Sequence, residues 1–233
     1  MACILAIKIG ATKIRADSID VMFKTIGTLL SRIRGVSDYL EDLSANPDQV
    51  ALLVIDVQHE FCDPADERGN KETEEVAGKI QTAVPEFRKA GIDVYAIYFD
   101  NTTSKDPKDV DFYKFRPEDG DTLVAKTTDS AFSSSNIDML LKRRGHKHLL
   151  VCGFNMASCV RRTIIAAHNH GYRVTLLEDL TGNDNLNGPA MVATARRLFK
   201  KNGTNLSNMG DVLGAINCSS SEKARRAMPS SPS

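Results

Sequence analysis

Apolar segments alternate with amphipathic helical segments along most of this chain. "VALLVIDV" at 50–57 is almost entirely apolar, and the next segment, 72–90, places its apolar residues on one helical stripe. Strands that are apolar along their whole length are buried on both faces, which requires helices on both sides of a parallel sheet. Further strands are predicted at 92–99, 122–126, 148–153, 172–179 and near 204–208, and helices near 136–144, 158–170, 188–201 and 209–216. The pattern predicts a three-layer α-β-α domain around a mostly parallel, Rossmann-like central sheet.

Two segments of different character flank the predicted domain. Apolar residues at three- and four-residue steps over 17–33 indicate an amphipathic helix, a shorter helical piece follows around "VSDYLEDL", and "SANPDQ" indicates a linker. Residues 1–47 are therefore predicted to form an N-terminal helical extension and residues 48–216 the main domain. Residues 217–233 have too little apolar content to fold and are predicted to be a disordered tail.

Charge balance and cysteine usage narrow the class of partner. Thirty basic and thirty acidic residues cancel, so we expect neither a nucleic acid nor an anionic membrane as partner, and no apolar run is long enough to span a bilayer. Five cysteines without a C-x-x-C pair argue against a disulfide framework or a zinc ribbon. The opening "MACILAIKIGATKIR" lacks the serine and arginine richness of a transit peptide. We therefore expect a cytoplasmic protein that acts on a small molecule.

Three chemically different side chains follow three of the predicted strands. Asp56 ends the first strand, Lys126 ends the third, and Cys159 follows the fourth. Ligands of open parallel sheets bind beyond the carboxyl ends of the strands, where these side chains can meet. A carboxylate can take the proton of a thiol, while an ammonium and a helix N-terminus favour the thiolate. This combination predicts an activated nucleophile whose thiol pKa lies below its free value.

Each of the three residues also has a plainer interpretation. Free cysteine packs as a small hydrophobe, so Cys159 can be core filler. A buried carboxylate is costly unless it is paired or hydrogen-bonded, so Asp56 can belong to a structural ion pair or a helix cap. Lys126 can be an ordinary solvated lysine. The interpretation as a nucleophilic site depends on the fold bringing the three side chains together.

The segments "LLVIDVQHEF", "KTTDSAF" and "VCGFNMASCVRRTIIAAHNHGYRVTLLED" resemble the isochorismatase-like cysteine hydrolase family, whose Asp, Lys and Cys triad arrives in this chain order. The resemblance covers residues 48–216 and implies the isochorismatase-like hydrolase fold. It further implies that Asp56 is the general base, that Cys159 is the nucleophile, and that Lys126 holds and polarises both.

The resemblance also implies the structure of the turn before the nucleophile. In that family a cis peptide bond lies a few residues before the cysteine, and the matching bond here joins Phe154 to Asn155. Backbone N–H groups of Asn155 and Cys159 would then form the oxyanion hole. Four candidate substrate-binding residues lie in the matched motifs or in the long segment between the second and third strands: Gln58, Phe61, Phe132 and Arg116. That segment is either a solvated loop or, as we prefer, a lid whose aromatic residues wall the pocket and whose arginine meets a substrate carboxylate.

The chain departs from the family pattern at two places. Met156 and Ala157 stand where the family commonly has Thr and an acidic residue, which implies an altered turn and substrate pocket. "FDNTT" has no histidine where the metal-binding nicotinamidase members carry D-x-H, so we predict no catalytic metal and no cofactor. Among the five histidines, only His59, three residues after Asp56, is retained as a candidate pocket residue.

These expectations combine into one function and two alternatives. The resemblance implies a cysteine-dependent hydrolase that cleaves the C–N bond of a small non-peptide amide or ureido compound through a thioester. True isochorismatases, which cleave an enol ether, resemble this chain in fold but usually lack the cysteine. An enol-ether-cleaving isochorismatase and a catalytically silent binding or interaction protein stay open as alternatives. The apolar stripe of the predicted 17–33 helix must be covered, so we expect a homo-oligomer, a dimer or a tetramer.

Overall fold

The computed structural model describes residues 39–40, 43, 46–100 and 111–217 of the chain. The predicted N-terminal helix and nearly all of the predicted tail lie outside the described residues, so both remain predictions, as does the homo-oligomer that rests on that helix. The chain divides into two units, Met1–Glu41 and Asp42–Ser233, and the second contains every element named below. Within the described part of the chain, every helix is too short or too polar to cross a membrane.

A single sheet of six parallel strands forms the centre of the domain, in the order β3-β2-β1-β4-β5-β6. The predicted α/β class and the Rossmann-like sheet are therefore confirmed. The predicted first strand ends earlier than expected, at Ile55, because Asp56 leaves the extended conformation with φ of +51°. The strands are Val50–Ile55 (β1), Asp93–Phe99 (β2), Thr122–Lys126 (β3), His148–Gly153 (β4), Arg173–Thr181 (β5) and Asn205–Ser207 (β6).

Helices cover both faces of this sheet. The longest begins at a reciprocal cap, in which the Asn70 side chain accepts from the Thr73 N–H and the Thr73 hydroxyl accepts from the Asn70 N–H, each at 2.9 Å. A 3-10 turn, Pro47–Gln49, occupies the predicted linker and leads into β1. The helices are His59–Cys62 (α1), Lys71–Lys89 (α2), Ile137–Arg143 (α3), Arg161–Asn169 (α4), Pro189–Lys201 (α5) and a helix over 209–217 (α6).

The predicted 158–170 helix begins as a different structure. Met156–Val160 form a turn of π-helix, and the regular helix α4 starts only at Arg161. The Val160 N–H donates to Asn155 O at 3.1 Å, which is the wide ring of a π-turn. Single π-turns of this kind occur frequently at functional sites because they redirect side chains within a helix.

The strand ends of β1 and β4 lie unusually close together. Gly153, with φ of +107°, pairs with Ile55, and a Cβ at that glycine would stand 2.0 Å from Ile55 O. No side chain fits there, so glycine is required. The strand order reverses between β1 and β4, and in open α/β sheets the crevice for a ligand lies at this point, beyond the carboxyl ends. We call this side of the sheet the carboxyl edge.

Candidate active site

The structure brings Asp56, Lys126 and Cys159 together at the carboxyl edge. The ammonium Nζ of Lys126 lies 2.8 Å from Asp56 Oδ2 and 3.5 Å from Cys159 Sγ. Asp56 and Lys126 are both 0% exposed, and Cys159 is 5% exposed. The interpretation of Lys126 as a solvated lysine is therefore wrong. One cation is shared by two acids in a site that water barely reaches.

An uncommon backbone conformation holds Asp56 in place. Its φ of +51° lies in the left-handed region, which costs free energy for most residues but is tolerated best by Asn and Asp after Gly. Its N–H donates to Ile97 O at 2.9 Å, so the turn is tied to the end of β2. Such strained positions cluster at active sites, where the surrounding structure enforces them.

Gln58 holds Phe99, which lies next to the Lys126 ammonium. Its side-chain amide donates to Phe99 O at 3.1 Å, and its carbonyl oxygen accepts from the Phe99 N–H at 2.7 Å. The Phe99 ring in turn lies 4.4 Å from Lys126 Nζ, within the range of a cation–π contact. Both ends of the Gln58 amide thus hold Phe99 in position, and the expected contact of Gln58 with substrate remains a prediction.

Burial moves the pKa values of both acids upward. Desolvation raises the pKa of Asp56 to about 6, although the charge of Lys126 opposes the change. Desolvation, followed by the neighbouring Asp56 carboxylate, raises the pKa of the Cys159 thiol to about 12. The expected lowering of the thiol pKa is therefore wrong, because a single cation cannot offset burial and a second anion. At neutral pH the thiol keeps its proton, and Asp56 is the group ready to receive it.

The turn after β4 has a cis peptide bond between Phe154 and Asn155, at the position that the resemblance implies. Among residues 46–100 and 111–217, no acceptor receives the backbone N–H of Asn155, although that residue is only 1% exposed. A buried backbone donor left without a partner, close in sequence to a nucleophile, can receive the negative charge of an oxyanion.

The loop after β5 supports this turn, and sequence reasoning missed it. The Met156 N–H donates to Gly182 O at 2.9 Å, and the Ala157 N–H donates to Asn183 Oδ1 at 3.0 Å. Gly182 packs on the turn so closely that a Cβ there would lie 2.5 Å from the Phe154 ring. Backbone and loop groups thus provide polar contacts that the side chains of Met156 and Ala157 do not make. The signal that could have found the loop is its place at the carboxyl end of a strand.

Arg116 and Phe61 were expected to bind substrate. The Arg116 Nη1 donates to Phe112 O and, at 3.1 Å, to Phe115 O, so the side chain ties together its own loop. Both contacts use Nη1 alone, and the expected contact of Arg116 with a substrate carboxylate remains a prediction. Phe61 is 3% exposed and carries the Arg68 guanidinium 4.4 Å above its ring, so at least one face of the ring is covered.

Phe132 packs near the C-terminal end of α4. Its ring packs against the rings of His170 and Tyr172, with centroids 5.0 Å and 5.8 Å away. These two residues follow the C-terminal end of α4, whereas Cys159 precedes its N-terminal end, and nine helical residues span about 13 Å. The loop after β3 thus turns this ring toward the far end of the helix, and the expected role of Phe132 in substrate binding remains a prediction.

His59 interacts with acidic side chains. Its Nδ1 lies 2.9 Å from Asp63 Oδ2, and its Nε2 lies 3.6 Å from Asp111 Oδ1. His59, Asp63 and Asp66 also form the one group among the described residues whose ligand atoms, all within 4.8 Å of one another, could hold a metal ion. Asp66 is exposed, and exposed acidic groups of this kind are common without a metal. The predicted absence of a catalytic metal remains a prediction.

A cleft of about 650 Å³ lies beside Phe99, whose ring contacts Lys126, although none of Asp56, Lys126 and Cys159 lines it. This volume falls within the range of small-molecule sites. Across the cleft, Arg162 Nε pairs with Asp129 Oδ2 at 2.8 Å. The remaining lining is mixed, with hydroxyl groups on one side and part of α4 on the other: Thr127, Thr128, Ser130, Ser133, Ile165, Ala166 and Asn169.

Sequence comparison places the chain in a family. The profile described as the isochorismatase domain matches residues 50–205. The chain therefore belongs to the isochorismatase family, as a hydrolase of that family.

Individual relatives are distant. The chain is 25% identical over 185 residues to ureidoacrylate amidohydrolase RutB of Rhizobium rhizogenes, covering 60% of this chain and 73% of that protein. A cysteine hydrolase from Pseudomonas syringae pv. phaseolicola superposes with a TM-score of 0.65 at 22% identity, covering 75% of this chain and 95% of that one. N-carbamoylsarcosine amidase from Thermoplasma acidophilum gives a TM-score of 0.59 at 22% identity, with 69% and 96% covered. At these identities the two structures show the shared fold alone.

Proposed function

We propose that this protein is a cysteine-dependent hydrolase that cleaves the C–N bond of a small amide or ureido compound. The observation that carries the proposal is the Lys126 ammonium, which touches both the Asp56 carboxylate and the Cys159 thiol in one buried site. Support comes from the names of its relatives, which include an amidohydrolase, an amidase and a cysteine hydrolase. A thiol beside a base is suited to acyl transfer and has no place in enol-ether cleavage.

The acylation half of the reaction starts from the protonated thiol. As Cys159 Sγ attacks the carbonyl carbon, Asp56 accepts the thiol proton, so the negative charge moves from carboxylate to sulfur and on to the carbonyl oxygen. Lys126 lies beside both acids and stabilises whichever one is ionised. The backbone N–H groups of Asn155 and Cys159 receive the oxyanion.

The second half returns the enzyme to its starting state. Protonated Asp56 gives its proton to the leaving nitrogen, the C–N bond breaks, and the acyl or carbamoyl group remains on sulfur as a thioester or thiocarbamate. Water then enters, Asp56 takes one of its protons, and the resulting hydroxide attacks the same carbonyl carbon. The C–S bond breaks, and the sulfur recovers its proton from Asp56.

Ammonia release from a panel of small amides and ureido compounds tests the proposal. We expect at least one compound to be hydrolysed, and we expect Cys159→Ala to lower its turnover to the background rate. Cys152→Ala is the matched control, because Cys152 is also a buried thiol and lies within β4. Failure of the whole panel, or full turnover by Cys159→Ala, would contradict the proposal. Cleavage of an enol ether with an inert panel would favour the isochorismatase alternative instead.

A further inference from the structure

A clasp of hydrogen bonds holds the side chain of Asn155. Its Nδ2 donates to Asp184 Oδ2 at 3.1 Å, and its Oδ1 accepts from the Asp184 backbone N–H at 2.7 Å. Both ends of the Asn155 amide are thus fixed by a single residue in the loop after β5. Nothing in the mechanism above uses Asp184, yet its side chain is 0% exposed, which is costly for a carboxylate without a reason.

The carboxylate of Asp184 is itself held on both oxygens. Arg68 donates to Oδ2 through Nε at 2.7 Å and through Nη2 at 2.5 Å, so two guanidinium nitrogens converge on one carboxylate oxygen. The other oxygen, Oδ1, accepts from the Leu186 N–H at 3.2 Å and from Asn187 Nδ2 at 2.6 Å. Asp184 therefore has little freedom to rotate, and neither has the Asn155 amide that it holds.

Arg68 connects this clasp to the segment that follows the general base. Its Nη1 lies 2.7 Å from Glu60 Oε1, and its guanidinium lies over the Phe61 ring. Both partners belong to α1, which begins three residues after Asp56. This series of contacts, from Asn155 through Asp184 and Arg68 to α1, thus joins the two sides of the crevice.

We propose that Asp184, backed by Arg68, is a positioning residue that fixes the direction of the Asn155 backbone N–H toward the oxyanion. The proposal rests on the proposed function, because it assigns the Asn155 N–H to oxyanion binding. The side chain and the backbone N–H of Asn155 share one Cα, so anchoring the amide at both ends also restricts the peptide. The clasp adds to the contacts that the loop after β5 makes with the turn containing Met156 and Ala157.

A double-mutant cycle tests whether Asp184 acts through Asn155. With the amide that the panel identifies, we expect Asp184→Ala and Asn155→Ala each to lower kcat by about 10²-fold, the typical effect of a small displacement at a reacting centre. KM should change far less, since the oxyanion forms only in the transition state. The double variant should resemble either single variant, because both remove the same clasp. If the fold-decrease in kcat of the double variant equals the product of the two single decreases, the proposal is overturned.

Two further variants separate positioning from general damage. Asp138→Ala removes a partly buried carboxylate that accepts from Tyr172 Oη at 2.9 Å, next to the residues packed on Phe132; it should lose stability and keep kcat. An equal fall in kcat for this control would overturn the proposal. Arg68→Lys keeps a positive charge but loses the convergence of two nitrogens on one oxygen, so it should show a smaller fall in kcat alone. It serves as the test if Asp184→Ala does not fold, and an unchanged kcat would then count against the proposal.

A probe that needs no C–N cleavage distinguishes failure of this proposal from failure of the proposed function. The Cys159 thiol can add to the C=O bond of acetaldehyde, which forms a C–S bond. The former carbonyl oxygen either gains the thiol proton or remains an oxyanion, and it occupies the oxyanion position. We expect acetaldehyde to protect Cys159 from iodoacetamide in the wild type, and Asp184→Ala to weaken this protection about tenfold or more while the alkylation rate without aldehyde stays the same. If acetaldehyde protects Cys159 equally in the two proteins, the positioning role of Asp184 is overturned. If no amide in the panel is hydrolysed but the two proteins still differ in protection, only the proposed hydrolysis is overturned.

Discussion

Carboxylates lie beside cations at both edges of the sheet, but only at one edge is the carboxylate–cation pair itself closed off from water. At the edge where the strands begin, which we call the amino edge, Asp93 Oδ2 lies 3.1 Å from Arg144 Nη1 and 3.1 Å from His146 Nε2. The Asp93 and Arg144 side chains are 40% and 46% exposed. At the carboxyl edge, the Lys126 and Asp56 side chains are 0% and 1% exposed.

This difference decides what each group of charges can do. An exposed ion pair contributes little because water screens it and solvates either partner alone. In the buried group, the ionisation of each member depends on the others, so a proton can move between two acids beside a constant cation. Substitutions at the carboxyl edge should therefore change the chemistry, whereas equivalent substitutions at the amino edge should change stability slightly.

The largest expected effect is that of removing the base. Asp56→Asn keeps the left-handed backbone that Asn tolerates, and it should lower kcat by about 10²- to 10⁴-fold, the typical effect of a lost general base. Asp93→Asn makes the same chemical change at the amino edge and should leave kcat unchanged. Steady-state kinetics of both variants on one substrate provides the comparison, which fails if the two variants lose similar activity.

The pH dependence should follow the raised pKa of Asp56, about 6. Below that pH the carboxylate is protonated and cannot accept the thiol proton, so kcat/KM should fall about tenfold for each further pH unit. The rate of Cys159 alkylation by iodoacetamide should fall in the same range because it needs the same proton transfer. A kcat/KM that stays level down to pH 5 would contradict the assignment.

Stability should change in the opposite direction over the same range. The folded-state pKa of Asp56 is raised above the ordinary value of 3.8, so the folded state binds the proton more tightly between about pH 4 and 6. The stabilising contribution of this proton is complete below that range and is lost as the pH rises through it. The unfolding free energy of the wild type minus that of Asp56→Asn, both measured with urea, should therefore decrease from pH 4 to pH 6. A rise would contradict the sign of the pKa shift.

A smaller effect is expected from the support behind the cation. Gln58→Leu leaves the N–H and C=O of Phe99 without their side-chain partner, which should lower the unfolding free energy by about 1–3 kcal/mol. Turnover should fall less than for Asp56→Asn because no reacting group is removed. Urea unfolding and kcat measured on the same preparation test both statements, and a direct role in substrate binding would instead raise KM.

The smallest effect is expected at the amino edge. The Tyr95 hydroxyl is buried and has no hydrogen-bond partner among the described residues. Tyr95→Phe should therefore change the unfolding free energy by less than about 1 kcal/mol and leave turnover unaltered. A loss larger than that of Gln58→Leu would show that the amino edge depends on polar contacts as strongly as the carboxyl edge does.

The regular elements were largely predictable from the sequence. β3 and β4 coincide with the predicted 122–126 and 148–153. For β4, which is buried along its whole length, the reason is that a strand covered on both faces is nearly continuously apolar. The meeting of Asp56, Lys126 and Cys159 follows from the same rule, since the ends of parallel strands share one edge.

The side-chain network was not predictable in the same way. The clasp of Asn155 by Asp184 and Arg68 depends on how three loops approach each other, which hydrophobic periodicity does not encode. The directions of Arg116 and Phe132 likewise depend on loop conformation rather than on composition. The direction of the thiol pKa shift was missed because it depends on the balance between burial and charge, and only the structure shows how little water reaches Cys159.

The strand order also relates the site to the order of synthesis. β1, β2 and β3 are neighbours in the sheet and come first along the chain, and β4 then pairs with the remaining edge of β1. A chain that folds from its N-terminus as it emerges therefore has Asp56 and Lys126 at the ends of β1 and β3, the two strands that pair with β2, before β4 joins the sheet. The thiol, which in an unfolded chain has a pKa of about 8.5 and reacts readily with oxidants, enters a prepared and nearly closed environment as soon as β4 docks. With this strand order, the newly synthesised Cys159 thiol is exposed to solvent and oxidants only until β4 joins the sheet.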